Sequence, residues 1–222
     1  MIELRFKGIT QNIPAIPGQI TNVIIESPPI FYRLAKALYL RDDEQILVFK
    51  DLDPLPSSKE VFFIETLFDL NPNSKKVLTS IYKQASTAYM NEERNRVLSR
   101  IQAEVVELLD DISGDFNHPM VYEHNFGIDK IMQLSSFSFY TDETTNFLGD
   151  FLSYLKSIQE IMKCHFVVTL DLFSYLEDAQ VDNLQKELSL LGLTLINLSS
   201  HQQKNEESQT NTILIDCDCC EI

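Results

Sequence analysis

The side chains best placed to do chemistry fall into two charged blocks of opposite sign. From Asn73 to Ile101 stand Lys75, Lys76, Lys83, Arg94, Arg96 and Arg100, with only Glu92 and Glu93 against them, a local balance of +4 inside a chain of formal net charge −15. Lys76 and Lys83 are seven residues apart and Arg96 and Arg100 four apart, so each pair can share a helix face and offer cations to a phosphate backbone. Nothing in the block suits base-edge readout, so any nucleic-acid contact would be to phosphates. The plainer alternative is a solvated helix face.

The sign then reverses. Residues 101–129 hold Glu104, Glu107, Asp110, Asp111, Asp115, Glu123 and Asp129 and no Lys or Arg. Asp110 and Asp111 fall near the carboxyl end of a predicted helix, where the dipole disfavours anions, and Glu107 with Asp111 is a like-charge i,i+4 pair. A hard cation would relieve that cost. Carboxylates at Glu107, Asp110, Asp111, Asp115, Glu123 and Asp129, with carbonyl oxygens from a turn such as Ser113-Gly114, suit Ca²⁺, although the spacing is not that of an EF-hand. A solvated acidic turn is the alternative.

Other chemistries leave no trace. Neither G-x-x-x-x-G-K-[S/T] nor G-x-G-x-x-G occurs, and the glycines at 8, 18, 114, 127, 149 and 192 are too scattered to cradle a phosphate. There is no G-x-S-x-G elbow and no H-E-x-x-H pair, and His118, His124, His165 and His201 have no helix-spaced partner. Asp171 ends a predicted buried strand, where a turn residue is the simpler role. Three of the four cysteines are crowded at Cys217, Cys219 and Cys220, which is neither a disulfide framework nor a structural zinc spacing, though Cys164 or His165 beside them could complete a soft-metal site. The expectation is no nucleotide, no catalytic residue and no enzymatic activity.

The elements that must position the two blocks are legible from periodicity. With 222 residues, 44% of them apolar, and only 6 Gly and 8 Pro, the chain is too hydrophobic for an acidic disordered tail and should bury a core. The alternating start lacks a signal-peptide run, and residues 188–198 are too short and polar to span a bilayer, so a soluble, cytoplasmic protein with no membrane contact is expected. Residues 2–7, 21–26, 46–49, 61–64, 165–170, 193–198 and 212–216 read as strands. Ser27-Pro28-Pro29 opens a helix to Leu40, and helices are predicted over 142–162 and 177–191, the last closed by Gly192. Strand and helix in succession predict an α/β fold, a mostly parallel sheet with helices on its faces.

A helical arm interrupts that sheet. From Asn71 to Gly114 only Pro72 and Gly114 punctuate the sequence, and two apolar stripes repeat every three to four residues: Val77, Leu78, Ile81, Tyr82, Ala85, then Val97, Leu98, Ile101, Val105, Leu108, Leu109, Ile112. A break is predicted near Asn91. A short strand at 120–122 and a helix at 128–134 follow. The predicted organisation is a discontinuous head, residues 1–70 and 127–222, carrying a helical leg at 71–126.

The stretches NVIIESPPIFYRLAKALYL, VFFIETLFDLNPNSKKVLTSIYKQ, SIQEIMKCHFVVTLDLFSYL and EDAQVDNLQKELSLLGLTLINL, in this order, resemble the Csn family of type II-A CRISPR adaptation proteins. The resemblance implies an α/β head with a helical leg, four subunits closed into a ring, duplex DNA threaded through a lysine-lined hole, and calcium holding the assembly. It also implies a role in spacer acquisition beside integrase and effector proteins. The DNA-facing cations would be Lys75, Lys76, Lys83, Arg94, Arg96 and Arg100, and calcium ligands would come from the acidic block. The DCDCCEI terminus departs from the family pattern. Two rivals remain: a metal-dependent nuclease using the same acids, and an acidic protein-interaction module that binds no DNA.

Overall fold

Continuous apolar runs bounded by polar loops predict strands buried on both faces, and such strands form the centre of the first of the chain's two units. The computed structural model describes residues 1–140, 146–201 and 211–216, without the side chains of Lys76 and Asp178. The chain divides into two units, Met1–Asn71 with Asp142–Ile222, and Pro72–Thr141. The first contains β1 (Ile2–Phe6), β2 (Ile13–Pro14), β3 (Ile20–Ile25), α1 (Pro28–Leu40), β4 (Ile46–Lys50), β5 (Asp53–Leu55), the short α2 (Ser57–Glu60) and β6 (Val61–Phe63). The second contains α3 (Lys75–Thr87), α4 (Glu92–Gly114) and α5 (Ile128–Leu134). The first unit resumes with α6 (Phe147–Met162), β7 (Phe166–Leu170), a 3-10 turn (Leu172–Tyr175), α7 (Asp178–Leu191), β8 (Thr194–Ser199) and β9 (Asn211–Ile215).

The main sheet is parallel throughout, in the order β6-β7-β8-β3-β9. Every residue of β3 and β8 is buried. Alternate side chains feed two cores, as the pleat requires. Val167 and Leu195 meet Phe151, Leu155 and Ile158 of α6 and Leu184 and Leu188 of α7 on one face. Val168, Ile196, Leu198 and Val23 meet Leu34 and Leu38 of α1 on the other. The expected α/β fold is therefore present. The strands at residues 2–6 and 46–50 belong elsewhere, in a second, antiparallel sheet of order β2-β1-β4-β5 that closes the α1 side through Leu4, Phe6, Ile46 and Val48.

One polar row crosses this apolar sheet. Thr169, Asn197 and Asn22 are in register on β7, β8 and β3, and all are fully buried. The Asn197 carboxamide oxygen accepts from the Thr169 hydroxyl (3.2 Å) and from the backbone N–H of Leu172 (2.8 Å), while its NH₂ donates to the Asn22 carboxamide oxygen (2.9 Å). A one-residue slip of β8 would send Asn197 to the other face and break all three, so the row favours a single register. It also anchors the turn after β7, where Asp171 adopts φ +49 ahead of the 3-10 helix, the turn role expected for it.

In the second unit α3 packs on α5, burying Val77 and Met132. The Tyr82 hydroxyl donates to the Phe137 carbonyl (2.9 Å), and the Asn73 side chain both accepts from the Phe139 N–H (2.8 Å) and donates to its carbonyl (3.0 Å). These clamps carry the unit on to Thr141, beyond the predicted end at 126. The helix break is at Asn91, whose side chain caps α4 by accepting from the Arg94 N–H (2.9 Å). No strand forms at 120–122. The expected helix start at 142–145, most of the loop at 199–211, and Cys217, Cys219 and Cys220 lie outside the described residues. Among those that are described, no helix is long and apolar enough to cross a membrane.

Asn197→Leu should leave the Leu172 amide without its side-chain acceptor in the core and remove the bonds to Thr169 and the Asn22 side chain, at a cost of about 2–4 kcal/mol. Thr169→Val removes one bond and should cost about 1 kcal/mol. Urea denaturation reads both as a fall in midpoint, and equal effects would deny Asn197 its central place.

Candidate nucleic-acid interface

The predicted cations lie on α3 and α4, and helix phase decides what each can face. On α3 the side that carries Val77 and Ile81 is taken by packing, which leaves Lys83 on the far side, exposed. Lys75 is exposed at the helix start, and Lys76 lies in the same first turn with its side chain outside the description. Among the described residues no ion pair or hydrogen bond engages the ammonium groups of Lys75 and Lys83 or the guanidinium of Arg100; the Thr79 and Thr87 hydroxyls donate only to the backbone carbonyls of the two lysines.

The remaining two arginines are committed. Arg96 is bound to Glu92 one turn earlier (2.6 Å), an exposed pair that lowers its free charge. Arg94, six residues above Arg100, falls on the apolar side of α4 with Val97 and Ile101, and its guanidinium turns back to donate to the Tyr89 carbonyl. Sequence spacing alone counts Arg94 with the phosphate-facing set. The phase of α4 separates it.

α4 spans 23 residues and buries none of them, with Val97 (43%), Leu108 (57%) and Ile112 (44%) well exposed. Part of its length is lined by the chain returning after Asp115. The Gln102 amide donates to the Asn125 side chain (3.0 Å) and the Phe126 carbonyl (2.7 Å), and the Tyr122 hydroxyl donates to Asp110. Asp110 pairs with Tyr122 and Gln102, two turns earlier on the helix, with Asn125 and Phe126, so the return segment runs antiparallel to α4. The Asp110 carboxylate, as acceptor, holds the Tyr122 phenol above its ordinary pKa.

The acidic block does not assemble into a metal centre. Among the described residues no three His, Cys, Asp or Glu side chains group closely enough to hold an ion. The six expected calcium ligands are dispersed for an evident reason. Glu107 and Asp111 share one face of α4, Asp110 is turned from them toward Tyr122, Asp115 is past the helix end, Glu123 is exposed on the return segment, and Asp129 is in the first turn of α5. Adjacency in sequence puts these carboxylates around a helix rather than around a point. The set within one chain does not fit a Ca²⁺ shell, and a two-metal nuclease centre would require the same convergence.

Two further features bear on chemistry. At the helix start that follows the buried strand β3, where a phosphate would seek free N–H groups, Pro28 and Pro29 occupy the first turn and supply none. Cys164 is buried, and burial pushes its thiol up to about 12, so it is no thiolate nucleophile at neutral pH. Its neighbour His165 engages Glu60 through Nδ1 (2.5 Å), and the terminal cysteines that could have joined them are outside the described residues.

No family model matches the chain, and no curated protein is similar to it in sequence. Among solved structures, Stu0660 of Streptococcus thermophilus is similar over 96% of this chain and 75% of that one, with a TM-score of 0.56 and 13% identity. CbiO1 from Clostridium perfringens, part of the ABC transporter complex CbiONQ, covers 90% of this chain and 78% of that one, with a TM-score of 0.39 and 10% identity. At this identity the first likeness shows the α/β fold alone. The absence of catalytic motifs in the sequence argued for a non-enzyme. With an ABC transporter component among the chain's structural neighbours that exclusion is withdrawn, although a TM-score of 0.39 carries no argument for a particular activity.

Two buried groups whose pKa values are raised by burial fix an alkaline response. Burial, helped by Asp69 and Glu65, pushes the Tyr154 phenol to about 12 from 10.0, and the Cys164 thiol rises to about 12 from 9.0. The unfolded chain releases these protons first, so the stability they confer is whole below about pH 9 and is lost as pH climbs towards 12. Urea midpoints should fall across that window, and Tyr154→Phe should flatten the fall. In a variant with Cys164 as its only cysteine, a thiol reagent at neutral pH should react only on unfolding. Rapid native labelling would contradict the buried, protonated state.

Proposed function

We propose that this protein binds duplex DNA without sequence specificity, as a ring of four subunits that loads at free ends, and takes part in spacer acquisition as the Csn-family resemblance implies. The observation that carries the reading is the exposed, uncommitted cations Lys75, Lys83 and Arg100 on the helical unit of a chain of net charge −15. An acidic protein repels DNA as a whole, but screening over about 8 Å at physiological salt lets a local cationic lining act alone. Four copies turned inward would concentrate that lining and keep the bulk acids outside it.

Lys83 and Arg100 would meet phosphates directly, with Lys75 and Lys76 at the helix start beside them. Arg96 contributes less because Glu92 competes for it, and Arg94 supports the turn at Tyr89 rather than the DNA. The ring would act in the cytoplasm, with integrase and effector proteins of the adaptation machinery as its partners. Since the acids of one chain do not fit a calcium shell, no step of this reading is routed through calcium.

Lys83→Glu with Arg100→Glu should weaken binding to any linear duplex by at least about tenfold and flatten the salt dependence by about 0.9 in log–log slope for each phosphate that is no longer neutralised. Arg96→Glu alone should do less. Fluorescence anisotropy across a salt series reads both, and an unchanged slope in the double variant would reject these side chains as the DNA-facing surface. Retention of linear but not closed-circular duplex checks loading at ends, while equal failure with both would favour the acidic interaction module.

A further inference from the structure

A second cationic surface lies on α1, remote in sequence from the helical unit. Residues 28–41 hold Arg33, Lys36 and Arg41 and no acid. The helix buries Leu34, Ala37 and Leu38 against the core, and the opposite side presents Tyr32 (65% exposed), Tyr39 (62%) and Leu40 (60%). Lys36 lies between the two tyrosines and places its ammonium 5.7 Å from the Tyr32 ring centre, while Arg33 is steadied by donating to the Lys7 carbonyl (3.3 Å). The result is an aromatic ridge with a cationic flank. Three large apolar side chains kept in water on one helix face mark a docking surface.

The chain also carries the complementary surface. The carboxyl half of α4 sets Glu104, Glu107 and Asp111 beside the exposed ridge of Leu108 and Ile112, with no Lys or Arg from 101 to 129 to offset them. Glu107 and Asp111 are four apart and Arg33 and Lys36 three apart, so both charged flanks repeat at about one helical turn. A duplex backbone would satisfy the cations of α1 but gives Leu40 nothing to pack on. An acidic amphipathic helix satisfies both.

We propose that α1 of one copy docks the acidic half of α4 of a second copy, Tyr32, Tyr39 and Leu40 covering Leu108 and Ile112 while Arg33 and Lys36 face Glu107 and Asp111. The inference deepens the ring reading and rests on its claim of self-association. Each copy carries both surfaces, so the contact can be reciprocated about a two-fold axis or, repeated from copy to copy, close a ring when the rotation allows. The same contact lowers the like-charge cost within α4, the role the sequence would otherwise give a metal ion.

The test is a charge swap read by mass in solution. Arg33→Glu with Lys36→Glu, and separately Glu107→Lys with Asp111→Lys, should each weaken assembly of the full chain by about a hundredfold. All four positions are exposed on their helices, and circular dichroism confirms that the variants fold. An equimolar mixture of the two should regain the wild-type mass, because each then offers the surface the other needs. Wild-type assembly by both variants would overturn the proposal, as would a monomeric wild type or a mixture that fails to recover. Loss of duplex binding by the α1 variant with its assembly intact would make α1 a nucleic-acid surface instead, and also overturns it. Duplex retention measured on the same wild-type samples separates the two readings: an assembly that ignores DNA rejects the DNA function and leaves the docking of α1 on α4 standing.

Discussion

A 23-residue amphipathic helix that buries none of its side chains within its own chain is a standing demand for cover, and α4 is such a helix. Most helix stability in proteins comes from the amphipathic face that packs rather than from propensity. The return segment, tied on through Gln102 and Tyr122, meets part of the demand. What it leaves is a ridge of exposed apolar residues between a cationic first half and an acidic second half. The proposed reading gives the first half to phosphates and the second to a neighbouring copy, and the two assignments are coupled: cations of separate copies act together only if the copies are held.

The first unit supplies rigidity of a different kind. Its parallel strands are sealed on both faces, and the Asn22, Asn197 and Thr169 row favours one register among them. That precision passes to α1, whose inner side chains share a core with β1 and β4, so the outward stripe of Tyr32, Lys36 and Tyr39 is borne on a fixed platform. A helix with no acid from Pro28 to Arg41 in a chain this acidic is a local charge reversal of the same type as the arm.

Much of the fold was readable because local pattern and tertiary role agree. The β-branched run at 21–26 and the prolines after Ser27 mark β3 and α1, and Asn91 marks the helix break because a cap needs such a side chain there. The antiparallel sheet was not readable. Residues 46–49 look like any buried strand, and their pairing of Leu4 with Val48 is a long-range fact. The hairpin that follows turns at Asp51 and Leu52 with φ of +50 and +82 and no glycine to announce it. At the site, charge sign along the chain was legible but charge direction was not. Arg94 needed the phase of α4, and the acids needed three-dimensional placement before their failure to converge could be seen.

The central claim is that Lys83 lies against DNA in the assembled protein. Lysine acetylation read by mass spectrometry, on the assembled full chain with and without linear duplex, tests it most directly. The account predicts that duplex shields Lys83 strongly and leaves Lys59, exposed on the first unit, as reactive as before. Equal reactivity of Lys83 in both samples, with the duplex shown to be bound, would contradict it.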